Sequence, residues 1–327
     1  MRARTSVRAA LLRAGLAIAT LGMGTAHAAA LEAQAVVEDV LAELAPPGVA
    51  GGGWSALRSD ALLGALCAPR FGSVLRIGLT TRPPSRWQRD ACAAAAGAVL
   101  SDRVVGRWVL LAFGGKSAPP LTAGLLYRAL AGRLPGAAGR LLPNQAARWH
   151  DLDPALPNVP IRVLLPPDGS LEARILAEAV LPEGCLAAAG AADPPGGPEA
   201  GTALCSDLRG DAVVTRAERG LGVAAWLRGA GPSAVALVGL ETVVAEPELD
   251  TPLPLDGVSP RFATLADGSY KAMLPVHVLV LQAGVPDEAA DAVLSLTSES
   301  AIGPGGLMAV HGLAPLPAVE RVRLRGE

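Results

Sequence analysis

Apolar positions along the chain follow two alternating rhythms. "SVLRIGLTT", "VVGRWVLLAF", "IRVLLP", "SAVALVGL" and "VHVLVLQ" are short β-branched and aliphatic runs, the pattern of buried strands. Between them, "RSDALLGALC", "SRWQRDACAAAAG", "LTAGLLYRALAGRL" and the stretch entered from Ser170 repeat apolar residues at helical spacing, with Ser85 placed as an N-cap. Strands alternating with helices predict an α/β fold with mixed, mostly parallel sheets. Near the start, "LEAQAVVEDVLAEL" has the spacing of an amphipathic helix that ends at Pro46-Pro47, followed by a glycine loop at Gly51 to Gly53. "PDEAADAVLSLTSESA" predicts a late helix, and "AAGAADPPGGPEAGTAL" has no periodic face and predicts a surface loop.

Composition narrows the setting. A chain of 327 residues has room for about two domains. Hydrophobic residues are 51% and aromatics only 3%, so the core must be packed from Ala, Leu and Val. A net charge of −2 offers no basic footprint for nucleic acid and no polybasic membrane patch. Arg2, Arg4, Arg8 and Arg13, the apolar "AGLAIATLGMG" and the small-residue site Ala26-His27-Ala28 read as a signal peptide over residues 1–28, predicting a periplasmic protein. Four cysteines, Cys67, Cys92, Cys185 and Cys205, suit an oxidising compartment. Of the three connectivities they allow, two local bridges, Cys67 to Cys92 and Cys185 to Cys205, are favoured. With no Cys-x-x-Cys pair, neither a metal nor a redox site is expected.

Catalytic motifs are weak. Gly115-Lys116-Ser117 matches the end of a phosphate-binding P-loop, but Leu110 stands where its first glycine belongs. No Gly-x-Ser-x-Gly elbow occurs, and beyond the signal the histidines are His150, His277 and His311. His277 reads as a strand residue and His150 as part of a Trp-His-Asp loop. Three other stretches, "GVAGGGW", "LTTRPPS" and "PPDGSLE", place small or hydroxyl residues at strand-to-helix turns, where open α/β sheets bind ligands. Thr80, Thr81 and Ser170 supply hydroxyls there, and Arg82 a forked cation suited to an oxyanion.

"DPALPNVPIRVLLPPDGS", "PLDGVSPRFATLADGSY" and "LTSESAIGPGGLMAVHGLAPLP" resemble segments of the phosphate-binding proteins that serve bacterial ABC transporters. "LTAGLLYRALAGRLP" and "GGGWSALRSDALLGALC" are similar to that family's helix after the first hinge strand and to its glycine-rich loop and helix. The likeness runs in order from Gly51 to Pro317. It implies a two-lobed type II periplasmic binding protein, with residues 29–115 and 252–327 in one lobe and 116–251 in the other. It further implies a monomer that binds phosphate or a related oxyanion between the lobes at Gly51, Gly52, Thr80, Thr81, Arg82, Gly169 and Ser170. Such a protein delivers its ligand to a membrane permease, with no cofactor and no catalysis. Two departures stand out. The family's Ser-Ser-Thr-type loop after the first strand has no counterpart, because the chain enters the predicted helix of residues 31–44 almost at once, with no such strand or loop. Its Ser-Gly-Thr-Arg-Asp motif falls on Gly169-Ser170-Leu171-Glu172-Ala173, which puts Glu172 where an anion wants positive charge, unless a small shift brings Arg174 to the guanidinium's place. The same fold without phosphate binding, a periplasmic scaffold or sensor, is the alternative expectation.

Overall fold

The computed structural model describes residues 34–38, 40–41, 55–68, 74–135, 141–188, 205, 207–218, 220–283 and 296–326. The signal peptide, the glycine loop with Gly51 and Gly52, the surface loop after Ala188 and most of the helix expected after Val285 lie outside these residues.

The first described elements are β1 (Gln34–Glu38), β2 (Ser55–Leu57), α1 (Ser59–Cys67), β3 (Val74–Thr80) and α2 (Arg86–Ala96). There follow β4 (Val99–Gly114), α3 (Ala123–Leu130), the hairpin β5 (Arg133–Pro135) and β6 (Leu141–Pro143), α4 (Trp149–Leu152) and β7 (Val163–Leu165). Helix α5 (Leu171–Ile175) runs through a π-helical turn (Leu176–Val180) into α6 (Leu181–Ala188). Next come β8 (Val214–Arg216), α7 (Val223–Ala230), β9 (Val235–Gly239), α8 (Leu240–Ala245) and α9 (Phe262–Ala266). The chain closes with β10 (Met273–Ala283), α10 (Glu299–Ile302), α11 (Leu307–Val310), β11 (Leu313–Pro315) and α12 (Ala318–Arg325).

Among the described residues one nine-stranded sheet carries the fold in the order β2-β1-β3-β10-β4-β9-β7-β8, with β11 also on β4. Its flanks are parallel and its centre antiparallel. The long strand β4 belongs to both halves: Val99 to Val109 pair with β10, and Leu110 to Gly114 pair with β9. Its sequence shows the change of environment. Polar Ser101, Asp102, Arg103 and Arg107 interrupt the first part, whereas Trp108 to Phe113 are continuously buried, as a strand covered on both faces requires.

A hydrophobic core runs through both halves, and a smaller cluster of Leu62, Leu66, Cys92, Leu100, Leu279 and Leu281 lies under α1 and α2. Gly78 lets α1 sit close on β3, since a Cβ there would meet the Leu66 side chain at 2.8 Å. Ser85 and Gln88 form a reciprocal capping box at the start of α2, satisfying two otherwise open N–H groups. Both favoured disulfides are present, Cys67–Cys92 tying α1 to α2 and Cys185–Cys205 anchoring α6. Among the described residues no helix is long and apolar enough to cross a membrane.

The helix expected over "LEAQAVVEDVLAEL" is not formed at Gln34 to Glu38. That segment is a strand between β2 and β3, with Val36 opposite both Ser55 and Gly78. Helix-favouring Ala and Glu yield because two parallel ladders satisfy its backbone and bury Val37, a tertiary override of local propensity. A first strand therefore exists.

Candidate functional site

Strands β1 and β3 run parallel with Val37 beside Leu79, so their carboxyl ends deliver Glu38 and the Thr80-Thr81-Arg82 turn to one place. The Thr81 N–H and the Thr81 hydroxyl each donate to Glu38 Oε2 at 3.1 Å. Ser59, the first residue of α1, donates its hydroxyl to Glu38 Oε1. From the other half of the sheet, Arg174 on α5 donates to Glu38 Oε2 at 2.5 Å and to Thr81 Oγ1 at 2.6 Å. Glu38 is only 1% exposed, so this carboxylate has exchanged water for four protein donors.

A second ion pair runs the opposite way between the halves. Arg82 Nη2 meets Glu178 Oε1, and Arg82 Nη1 donates to Ser59 Oγ at 3.1 Å. Ser59 thus joins the two pairs into one network. Burial alone would raise the pKa of Glu38, but the hydrogen bonds from Ser59, the Thr81 N–H and Arg174, with the charge of Arg174, hold it below the ordinary value.

The expected site residues divide. Thr81 and Arg82 stand in the network. Thr80 is buried beside it and shapes the turn, accepting from the Arg82 N–H at 3.0 Å. Gly169, at φ 77°, and Ser170 build the entry to α5: Ser170 Oγ caps the Ala173 N–H at 3.1 Å, and the Ser170 carbonyl accepts from Arg174 N–H at 3.1 Å. They orient the helix that presents Arg174. Gly51 and Gly52 lie outside the described residues.

Glu172 is not among the polar partners of the Glu38 network. It is buried, and its Oε1 accepts from Trp108 Nε1 at 2.6 Å. It faces Glu241 of α8: a Cβ on Gly239 would fall within 2.5 Å of oxygens from both carboxyls. Burial, then the neighbouring Glu172 charge, pushes the Glu241 pKa up to about 7. An acid with a raised folded pKa contributes stability below its unfolded value, near 4.5, and loses it as pH rises through about 7. Denaturation midpoints should therefore fall between mildly acidic and mildly alkaline buffer, and Glu241→Gln should flatten that slope. An unchanged slope in the variant would show that this pair does not set the dependence.

The histidines stand elsewhere. His277 Nδ1 lies 2.6 Å from Asp102 Oδ1 while its buried Nε2 has no hydrogen-bond partner among the described residues, and exposed His150 has Nδ1 3.2 Å from the Leu156 carbonyl. Reading the sequence missed Glu38, Ser59 and Glu178. Val36-Val37-Glu38 could have signalled Glu38, as an acid directly after a β-branched pair at a strand's carboxyl end. Glu178 lies one helical turn beyond Arg174.

No protein-family model and no curated protein sequence matches the chain. Solved structures do. "A possible phosphate binding protein" from Planctomyces limnophilus DSM 3776 superposes with a TM-score of 0.59 at 11% identity, over 90% of this chain and 96% of that one. PstS from Borrelia burgdorferi gives 0.57 at 11% identity, over 88% and 99%. An ABC-type phosphate transport receptor from Vibrio cholerae gives 0.52 at 14% identity, over 87% and 100%. With the sheet order and the shared strand β4, these similarities show that the chain has the two-lobed α/β fold of the periplasmic phosphate-binding proteins.

Proposed function

We propose that the protein is an exported solute-binding protein of the phosphate-receptor type, which recognises an oxyanion between its lobes, hands it to an ABC permease and catalyses no reaction. The observation carrying this reading is the convergence of the Ser59 hydroxyl, the Thr81 N–H and hydroxyl, and the Arg174 guanidinium on one carboxylate between the halves of the sheet. Such donors recognise phosphate as readily as carboxylate, because both present ionised oxygens. We assign one lobe to the flank of β2, β1, β3 and β10 with the first part of β4, and the other to the flank of β9, β7 and β8. The first crossing lies near Trp108. We assign the return crossing to the stretch near Met273; the reading is supported by the Leu253 and Asp256 N–H groups, which bond Ala112 and Leu121 carbonyls of the second half.

Isothermal titration of the purified protein with phosphate and sulfate tests the receptor reading. It requires saturable one-site binding that weakens about tenfold or more in Arg82→Ala. Absence of saturation with every oxyanion contradicts it. The second reading, a periplasmic scaffold or sensor without transport, turns on Glu38, which already engages the cradle's donors.

A further inference from the structure

We infer that Glu38 is a resident anion: its carboxylate holds the donors of the cleft in place of an external oxyanion, and thereby decides whether the cleft takes one. The inference rests on the cradle reading above and goes beyond it in naming the residue that competes with the ligand.

Three observations carry it. The first is saturation. Glu38 Oε1 accepts from Ser59, and Oε2 accepts from the Thr81 N–H, the Thr81 hydroxyl and Arg174. These are a main-chain N–H, two hydroxyls and a guanidinium drawn from α1, the β3 turn and α5, a donor set for a compact anion rather than for one arginine partner. The second is burial, since Glu38 keeps 1% of its surface in contact with water. An incoming anion must therefore displace it instead of binding beside it. The third is charge. Arg174 and Arg82 are matched by Glu38 and Glu178. A phosphate entering this balanced network adds one or two uncompensated negative charges in a water-poor setting, which is costly. Without the Glu38 carboxylate the same network carries one excess positive charge and an unfilled set of donors.

Because Arg174 comes from one half of the sheet and Glu38 from the other, the resident carboxylate also makes the link between lobes that a bound ligand would otherwise make. A receptor of this design closes on itself, and external anions compete with an intramolecular group whose effective concentration is high.

The experiment compares wild type, Glu38→Ala and Glu38→Gln by titration calorimetry and thermal melting with sodium formate, acetate, phosphate and sulfate. Glu38→Ala opens space for an anion; Glu38→Gln keeps the side-chain shape while removing its charge, and serves if the alanine variant does not fold. We expect a Glu38 variant to bind at least one of these anions about a hundredfold more tightly than wild type. In Glu38→Ala the melting temperature should rise with added formate by more than that of wild type does. Equal affinity of wild type and both variants would overturn the inference and leave the receptor reading standing. Binding of no anion by any of the three proteins would remove the cradle reading and the inference together.

Discussion

Arg174→Ala should lower the stability of the folded protein by about 3 to 4 kcal/mol and abolish anion binding in the cleft. The partner that remains sets the cost. Arg174 is mostly buried and Glu38 is almost wholly so. Removing the guanidinium leaves a carboxylate that cannot return to water, held only by two hydroxyls and one N–H. Breaking a buried pair from one side costs about 3 to 5 kcal/mol, because an uncompensated charge stays behind. The lower part of that range applies here, since three neutral donors persist. Arg82→Ala breaks the other pair, whose side chains are half and one third exposed, and should cost about 1 kcal/mol or less. Chemical denaturation of both variants checks the contrast. Equal losses would mean that burial does not distinguish the pairs.

The second large effect is covalent. Cys67–Cys92 closes a separation of 25 residues and Cys185–Cys205 one of 20. Loop-closure entropy gives each bridge about 3 to 4 kcal/mol in the chain-entropy model. The first joins α1 to α2 over the smaller hydrophobic cluster. Since α1 begins with Ser59, loosening it also disturbs the Glu38 network. Cys67→Ser with Cys92→Ser should therefore lower the midpoint of denaturation strongly and weaken anion binding. Cys185→Ser with Cys205→Ser, at the far end of α6 from Arg174, should lower stability by a similar amount with less effect on binding. Labelling of the unfolded, unreduced protein should find few reactive thiols, and four labelled cysteines would contradict both bridges.

The sequence discloses most of the strands and helices because their apolar periods are clean. β3, β4, β7, β9 and β10 all fall on the runs that predicted them, and Ser85, Thr122 and Ser170 cap their helices as hydroxyl residues do. The error at β1 has a definite cause. "QAVVE" holds helix-compatible residues at helical spacing, and only its two neighbours, Ser55 to Leu57 and Val74 to Thr80, make it a strand. No local window contains that information.

The same error hid the site. Read as a helix, the segment placed Glu38 on an amphipathic surface, where a glutamate attracts no notice. Read as a strand ending beside Thr80, it puts a carboxylate at the carboxyl edge of a parallel sheet, the region where α/β folds gather ligand groups. Glu172 misled in the opposite direction. Sequence position suggested an intruding charge in the cleft, but α5 turns it toward Trp108 and Glu241 and turns Arg174 toward Glu38. Which face of a short helix meets which neighbour depends on packing with β4 and β9, partners distant in sequence.

The central claim is that Glu38 and Arg174 form one coupled unit across the two halves of the molecule. A double-mutant cycle of Glu38→Ala, Arg174→Ala and the combined variant, followed by denaturant unfolding, measures that coupling without any ligand. We predict a coupling of about 2 to 3 kcal/mol, with the combined variant more stable than the sum of the single losses allows, because removing Glu38 relieves the buried charge that Arg174→Ala strands. Losses that simply add would contradict the account.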